Sequence, residues 1–126
     1  MSQKSVLLVE DEDNIALALG YLIGRAGYRV RRVATGNAAL DALAEGRPDL
    51  VVLDVMLPER SGYDICQMIR SDAALAGIKV LMITASGGEV ERRKGLAVGA
   101  DAFMTKPFAT ADLTAQIHAL LAEDAP

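Results

Sequence analysis

Leu50-Val51-Val52-Leu53 is apolar at every position, and Asp54 follows directly. A strand with one wet face alternates apolar and polar residues. A run that is apolar throughout suits a strand covered on both faces, as in a parallel sheet flanked by helices. The same pattern continues in both directions along the chain. Val6-Leu7-Leu8-Val9 lies before it and Val80-Leu81-Met82-Ile83 after it, each unbroken by a polar residue. Ala102-Phe103-Met104 is a shorter last strand. Tyr28 to Val33 is a strand carrying Arg29, Arg31 and Arg32, charges that suit a sheet edge because they resist pairing with another chain.

Between these runs the apolar period lengthens to that of a helix. Ile15, Leu19, Leu22, Ile23 and Ala26 recur at helical spacing, and Gly27 stops that helix. A second helix around Ala38 to Ala44 closes at Gly46, and Ile65, Met68 and Ile69 mark a third after a loop punctuated by Pro58 and Gly62. A fourth runs from about Val90 to Val98 and ends at Gly99; Leu113, Ile117, Leu120 and Leu121 outline a fifth. Strand and helix alternate five times, which predicts an α/β fold. Right-handed crossovers make it a doubly wound sandwich. No repeat, low-complexity segment or linker interrupts the pattern, so one domain is expected to fill residues 1–126.

Composition narrows the function classes. Hydrophobic residues make up 52% of the chain, enough for a core and too many for a disordered segment. With aromatics at 4%, that core must be built from Leu, Val, Ile, Ala and Met. The formal net charge is −4, and the basic clusters are short: Arg29, Arg31 and Arg32 in one, and Arg92-Arg93-Lys94 in the other. Direct binding to nucleic acid, which needs clustered cations, is not expected. Cys66 is the single cysteine, which leaves neither a disulfide framework nor a thiolate metal cluster. No apolar run approaches a membrane span, and Met1-Ser2-Gln3-Lys4 leads into the first strand without a signal pattern; a cytoplasmic location is expected.

Polar chemistry gathers at the C-terminal side of the apolar runs. Glu10-Asp11 follows the first, Asp54 the third strand, Thr84 the fourth and Lys106 the fifth. In a parallel sheet those ends share one rim, where ligands of open α/β sheets bind. Glu10, Asp11 and Asp54 bring three negative charges and Lys106 one positive, leaving −2. Crowded carboxylates repel, and a hard divalent cation with oxygen ligands compensates them. Mg²⁺, for which Mn²⁺ can substitute, suits so small a cluster because it retains several waters. Asp54, fixed by a buried strand, is the candidate nucleophile, since carboxylates form aspartyl-phosphate intermediates. Lys106 offers a point charge and Thr84 a hydroxyl for phosphoryl oxygens.

Glu10-Asp11, Asp54 with Met56-Leu57-Pro58 and Gly62, Thr84-Ala85, and Lys106-Pro107-Phe108 together resemble the receiver domain of two-component response regulators, of the chemotaxis-regulator type. The resemblance covers about Ser5 to Leu121. It implies a five-stranded parallel sheet of order 2-1-3-4-5 in a flavodoxin-like sandwich. It also implies phosphorylation of Asp54 by a sensor histidine kinase or a histidine phosphotransfer protein. The same resemblance makes Glu10, Asp11, Asp54 and the backbone carbonyl of Met56 the ligands of Mg²⁺. It implies a Lys106–Pro107 bond that is cis, and a switch in which Thr84 moves toward the phosphoryl group and Phe103 swings inward. That switch would alter the face made by the fourth helix, fifth strand and fifth helix, the docking face for a downstream protein or effector domain. Phe103 stands where tyrosine is frequent, so the switch lacks a phenolic hydroxyl. Met56 and Ser86 occupy positions resembling those that tune phosphoryl lifetime, and an apolar Met56 cannot orient an attacking water; slow self-dephosphorylation is expected. Ala102 and Gln116 interrupt the charge pattern of dimerising relatives, which leaves a monomer or a phosphorylation-dependent dimer.

The same residues argue against other functions. An aspartate-nucleophile phosphohydrolase generally carries a second aspartate two residues after the first; here Met56 stands there. A flavodoxin-like electron carrier needs a phosphate loop after the first strand, and Glu10-Asp11-Glu12-Asp13 would repel a phosphate. A degenerate receiver serving as a constitutive docking module would usually lack one of the acids, Thr84 or Lys106. Glu10-Asp11 also suits a helix N-terminus, and Phe103 alone would read as a static core aromatic. The expectation is a phosphoacceptor signalling domain rather than an enzyme.

Overall fold

The computed structural model describes residues 3–85 and 88–122. Its strands are β1 (Ser5–Val9), β2 (Arg29–Val33), β3 (Leu50–Asp54), β4 (Lys79–Thr84) and β5 (Ala102–Thr105). They form one sheet in the order β2-β1-β3-β4-β5, and every neighbouring pair is parallel. The helices are α1 (Asp13–Arg25), α2 (Gly36–Glu45), α3 (Gly62–Ser71), α4 (Glu89–Ala97) and α5 (Thr110–Leu121). The arrangement is the doubly wound sandwich expected from strand–helix alternation, in the flavodoxin-like strand order that the resemblance implies.

Burial explains the apolar runs. β3 is the central strand and is buried at every position from Leu50 to Asp54. Successive side chains point to opposite faces of a strand, so β3 feeds two cores. Val51 and Leu53 pack with Leu7, Val9, Val80 and Met82 against Ala39, Leu43, Ile65 and Ile69 of α2 and α3. Leu50 and Val52 pack with Val6, Leu8, Leu81 and Ile83 against Leu19 and Ile23 of α1 and Leu113 and Ile117 of α5. β2 lies at the edge, and Arg29, Arg31 and Arg32 are exposed there, as their charge requires.

The differences from the periodicity are small and have local causes. α2 begins two residues before Ala38 because the Thr35 side chain accepts a hydrogen bond from the Ala38 amide and caps the helix. Ser61 caps α3 in the same way through the Asp64 amide. Met68 is 41% exposed, and Cys66 takes the buried place beside Ile65 and Ile69. In α4 the only buried residue is Gly95. Gly27 and Gly99 follow α1 and α4 at φ of 102° and 108°, a region that accepts glycine at little cost and turns the chain back toward the sheet.

Candidate functional site

The parallel register brings the strand ends to one rim. Val9 pairs with Leu53, Asp54 with Ile83, and Thr84 with Thr105. Residues one step beyond β1 and β5, and the last residues of β3 and β4, therefore meet at the same edge. Glu10, Asp54 and Thr84 are the three buried polar or charged residues among those described, and all three lie there.

A buried carboxylate must be paired and hydrogen-bonded to remain ionised. The Lys106 ammonium donates to Glu10 Oε1 at 2.7 Å and to Asp54 Oδ2 at 3.2 Å. The Glu12 amide donates to Glu10 Oε2 at 3.2 Å, and the Met56 amide to Asp54 Oδ1 at 3.1 Å. All four oxygens of the two buried acids are thus engaged. Burial by itself would lower the pKa of the Lys106 ammonium. The hydrogen bond the ammonium donates to Glu10 and the charges of Asp54 and Glu10 outweigh that and raise it above its ordinary value. Lys106 is therefore held charged between the two acids.

Asp11 is exposed at the mouth. Glu10, Asp11 and Asp54 each offer a carboxylate oxygen, and these atoms lie within 4.8 Å of one another. Three carboxylate oxygens at that spacing are hard donors suited to a divalent cation. The cluster fits such an ion on its chemistry: with Lys106 in place it retains an excess of two negative charges.

Neighbouring segments hold these groups in place. Arg32 donates through Nε to the Glu10 carbonyl at 2.9 Å and pairs with Asp13 at 2.9 Å, which fixes the turn from β1 into α1. The Lys106 amide donates to the Thr84 carbonyl at 2.7 Å, and the Lys106–Pro107 bond is cis. After Asp54 the chain turns through Glu59, which has a φ of 74°, and returns at Gly62. The Gly62 amide donates to the Val55 carbonyl at 2.9 Å. A methyl group on Gly62 would overlap the Asp54 carbonyl oxygen and lie 2.9 Å from Val55 Cα, so only glycine fits. Phe103 is half-buried beside α4. Met56 leaves its side chain 70% exposed. Ser86 lies outside the described residues.

Glu10, Asp11, Asp54 and Lys106 thus share one shallow site, with Thr84 at the end of the adjacent strand. Charge marks it rather than enclosure. A cleft of about 510 Å³ lined by Val6, Arg29, Arg31, Ala42 and Arg47 lies at the opposite ends of the strands, away from the acids. One contributor to the site and two contacts outside it escape a reading of the sequence. Arg32 reads as an edge charge, yet it anchors Glu10. Gly95 carries no pattern of its own. Tyr63, a lone tyrosine at a helix start, reaches α4 through a fold that sequence spacing does not display.

The family model for the response regulator receiver domain matches residues 6–118. The chain is 43% identical over 118 residues to the transcriptional regulatory protein GltR of Pseudomonas aeruginosa, covering 94% of this chain and 49% of that protein. It is 39% identical over 118 residues to the alkaline phosphatase synthesis transcriptional regulatory protein PhoP of Bacillus subtilis, covering 94% and 48%. It therefore spans about half the length of these curated relatives. Among solved structures, the BeF3-activated DrrB receiver domain superposes with a TM-score of 0.88 at 33% identity, covering 97% of this chain and 100% of that one. The chemotaxis response regulator CheY4 of Vibrio cholerae superposes with a TM-score of 0.89 at 28% identity, covering 95% and 100%.

Proposed function

The chain belongs to the response regulator receiver domain family, and from that premise we propose that Asp54 accepts a phosphoryl group from a phosphohistidine on a sensor kinase or phosphotransfer protein. One observation carries the reading: a charged lysine bridges the central strand's aspartate and a buried glutamate, with a third carboxylate beside them. In the transfer, an Asp54 carboxylate oxygen attacks phosphorus. The P–O bond forms as the P–N bond to the donor imidazole breaks, and the leaving nitrogen keeps the electron pair.

Each residue has a part in that step. β3 and the Met56 amide orient the Asp54 carboxylate, so little conformational freedom is lost on approach of the donor. Lys106 is poised to follow negative charge from the Asp54 carboxylate onto a phosphoryl oxygen. The Thr84 hydroxyl is assigned a hydrogen bond to the same group, and Phe103 the coupled movement beside α4. Glu10, Asp11, Asp54 and the Met56 carbonyl are assigned to Mg²⁺, with Mn²⁺ as a substitute. That ion would screen the anionic acceptor from an anionic donor. An apolar, exposed Met56 gives water no partner for attack on the aspartyl phosphate, which supports a slow loss of the phosphoryl group. Residues 1–126 form one receiver domain in this reading, acting on a downstream protein or effector domain through α4, β5 and α5.

Incubation with phosphoramidate and Mg²⁺ followed by intact-mass measurement tests the proposal. One phosphoryl group is expected on the wild type, none on Asp54→Asn, and little after chelation. Uptake by Asp54→Asn equal to wild type would refute the assignment. The complete acidic and lysine set favours this over a constitutive docking module, which would show no uptake.

A further inference from the structure

α4 is a helix with almost nothing of its own to hold it. Of its nine residues only Gly95 is buried, while Val90 is 75% and Leu96 42% exposed. Helices shorter than about 12–15 residues are marginal in water, so tertiary contacts must supply the docking. Two aromatic rings from neighbouring elements contribute to it. Phe103 of β5 lies against Gly95; a methyl group there would come within 2.9 Å of the ring and 3.0 Å of Met82 Sδ. Tyr63 of α3 donates its hydroxyl to the Glu91 carbonyl at 3.3 Å, and the Lys94 ammonium stands 4.5 Å from the centre of its ring. Tyr63 thus engages the helix at Glu91 and Lys94, and Phe103 engages it at Gly95.

Tyr63 is also attached to the acceptor loop. It directly follows Gly62, whose amide bonds Val55 and whose missing side chain lets it press on the Asp54 carbonyl. A backbone shift at Asp54 or Val55 would meet little free space at Gly62 and would pass into the first turn of α3. The tyrosine there touches α4. We propose that Tyr63 is a positioning residue that fixes the docking of α4 and couples it to the Asp54 loop, by a route separate from Phe103. This rests on the phosphoacceptor role of Asp54, and it deepens that role by adding a second connection to the responsive face.

Hydrogen exchange read by mass spectrometry on wild type, Tyr63→Phe and Tyr63→Leu tests this in two arms. Without phosphorylation, exchange in Glu89–Ala97 should rise about tenfold in Tyr63→Leu, the scale of one lost hydrogen bond and one cation–π contact. Tyr63→Phe, which keeps the ring under Lys94, should fall between. β3, α1 and α5 should be unchanged. No rise in α4, or an equal rise in every element, overturns the proposal; the second would mean general destabilisation. After phosphoramidate treatment, Tyr63→Leu should gain the same phosphoryl mass as wild type, while the change that phosphorylation makes in α4 exchange shrinks. A change as large as in wild type overturns the coupling. Failure of the wild type to gain mass would instead remove the Asp54 assignment, and the first arm would still decide whether Tyr63 docks α4.

Discussion

Cys66 shows how one side chain can contribute to stability through what it excludes. It is fully buried on α3, and its thiol lies 3.5 Å from the Val98 carbonyl. Burial pushes its pKa above the ordinary thiol value; Arg70 opposes this and Asp101 adds to it. The native state therefore holds the thiol proton more tightly than the unfolded chain does. That contribution is complete below the unfolded thiol's pKa and is lost as pH rises through the folded one. In urea unfolding, the stability difference between wild type and Cys66→Ala should stay level up to about pH 8 and then narrow above the unfolded thiol's range near pH 8.5. A difference that holds constant well beyond that range would contradict the assignment. Lys106 illustrates the opposite situation, a charge kept in a buried place because two acids meet it. Removing it would leave Glu10 and Asp54 facing one another without a cation, which is why it serves the site and the packing together.

Among the elements, α4 is where local and tertiary preferences conflict. Glycine inside a helix costs about 1 kcal/mol relative to alanine, so Gly95→Ala should favour the isolated helix. In the folded chain the added methyl meets Phe103 and Met82, and one of them must move. We expect no net stabilisation by denaturant unfolding and displaced Phe103 ring resonances in NMR spectra. A gain near the full helix-propensity value of about 1 kcal/mol with unmoved Phe103 resonances would show the seat to be loose. β2 makes the complementary point. Its arginines leave the outer edge charged, and Arg31 is paired with Glu45 of α2 at 2.9 Å while Arg32 braces Glu10. An edge strand thus protects the sheet and supports the site with the same residues.

For the molecule as a whole, an ion held at the acidic rim would couple its binding to folding. An ion that binds only the native state stabilises it by mass action, about 2.7 kcal/mol at a free concentration one hundred times its dissociation constant. Thermal unfolding of wild type should shift upward on adding Mg²⁺ or Mn²⁺ and return on adding a chelator. Asp11→Asn should lose most of that shift, since Asp11 is the exposed member of the cluster and its loss leaves the buried pairing intact. An equal shift in that variant would place the ion elsewhere. No helix among the described residues is long and apolar enough to cross a membrane.

The alternation of apolar runs and helical periods was enough to determine the parallel sheet and its two layers, because burial on both faces leaves a strand no polar position to vary. The motif spacing likewise picked out Glu10, Asp11, Asp54, Thr84 and Lys106, since strand ends in such a sheet share a rim. Which oxygen Lys106 meets, how Arg32 reaches Glu10, and how Tyr63 and Phe103 divide the docking of α4 came only from the tertiary structure. Those contacts join residues separated by 96, 22 and 28 positions in the chain for Lys106–Glu10, Arg32–Glu10 and Tyr63–Glu91. Periodicity is a local quantity and carries no record of them; side-chain reach across packed elements decides them.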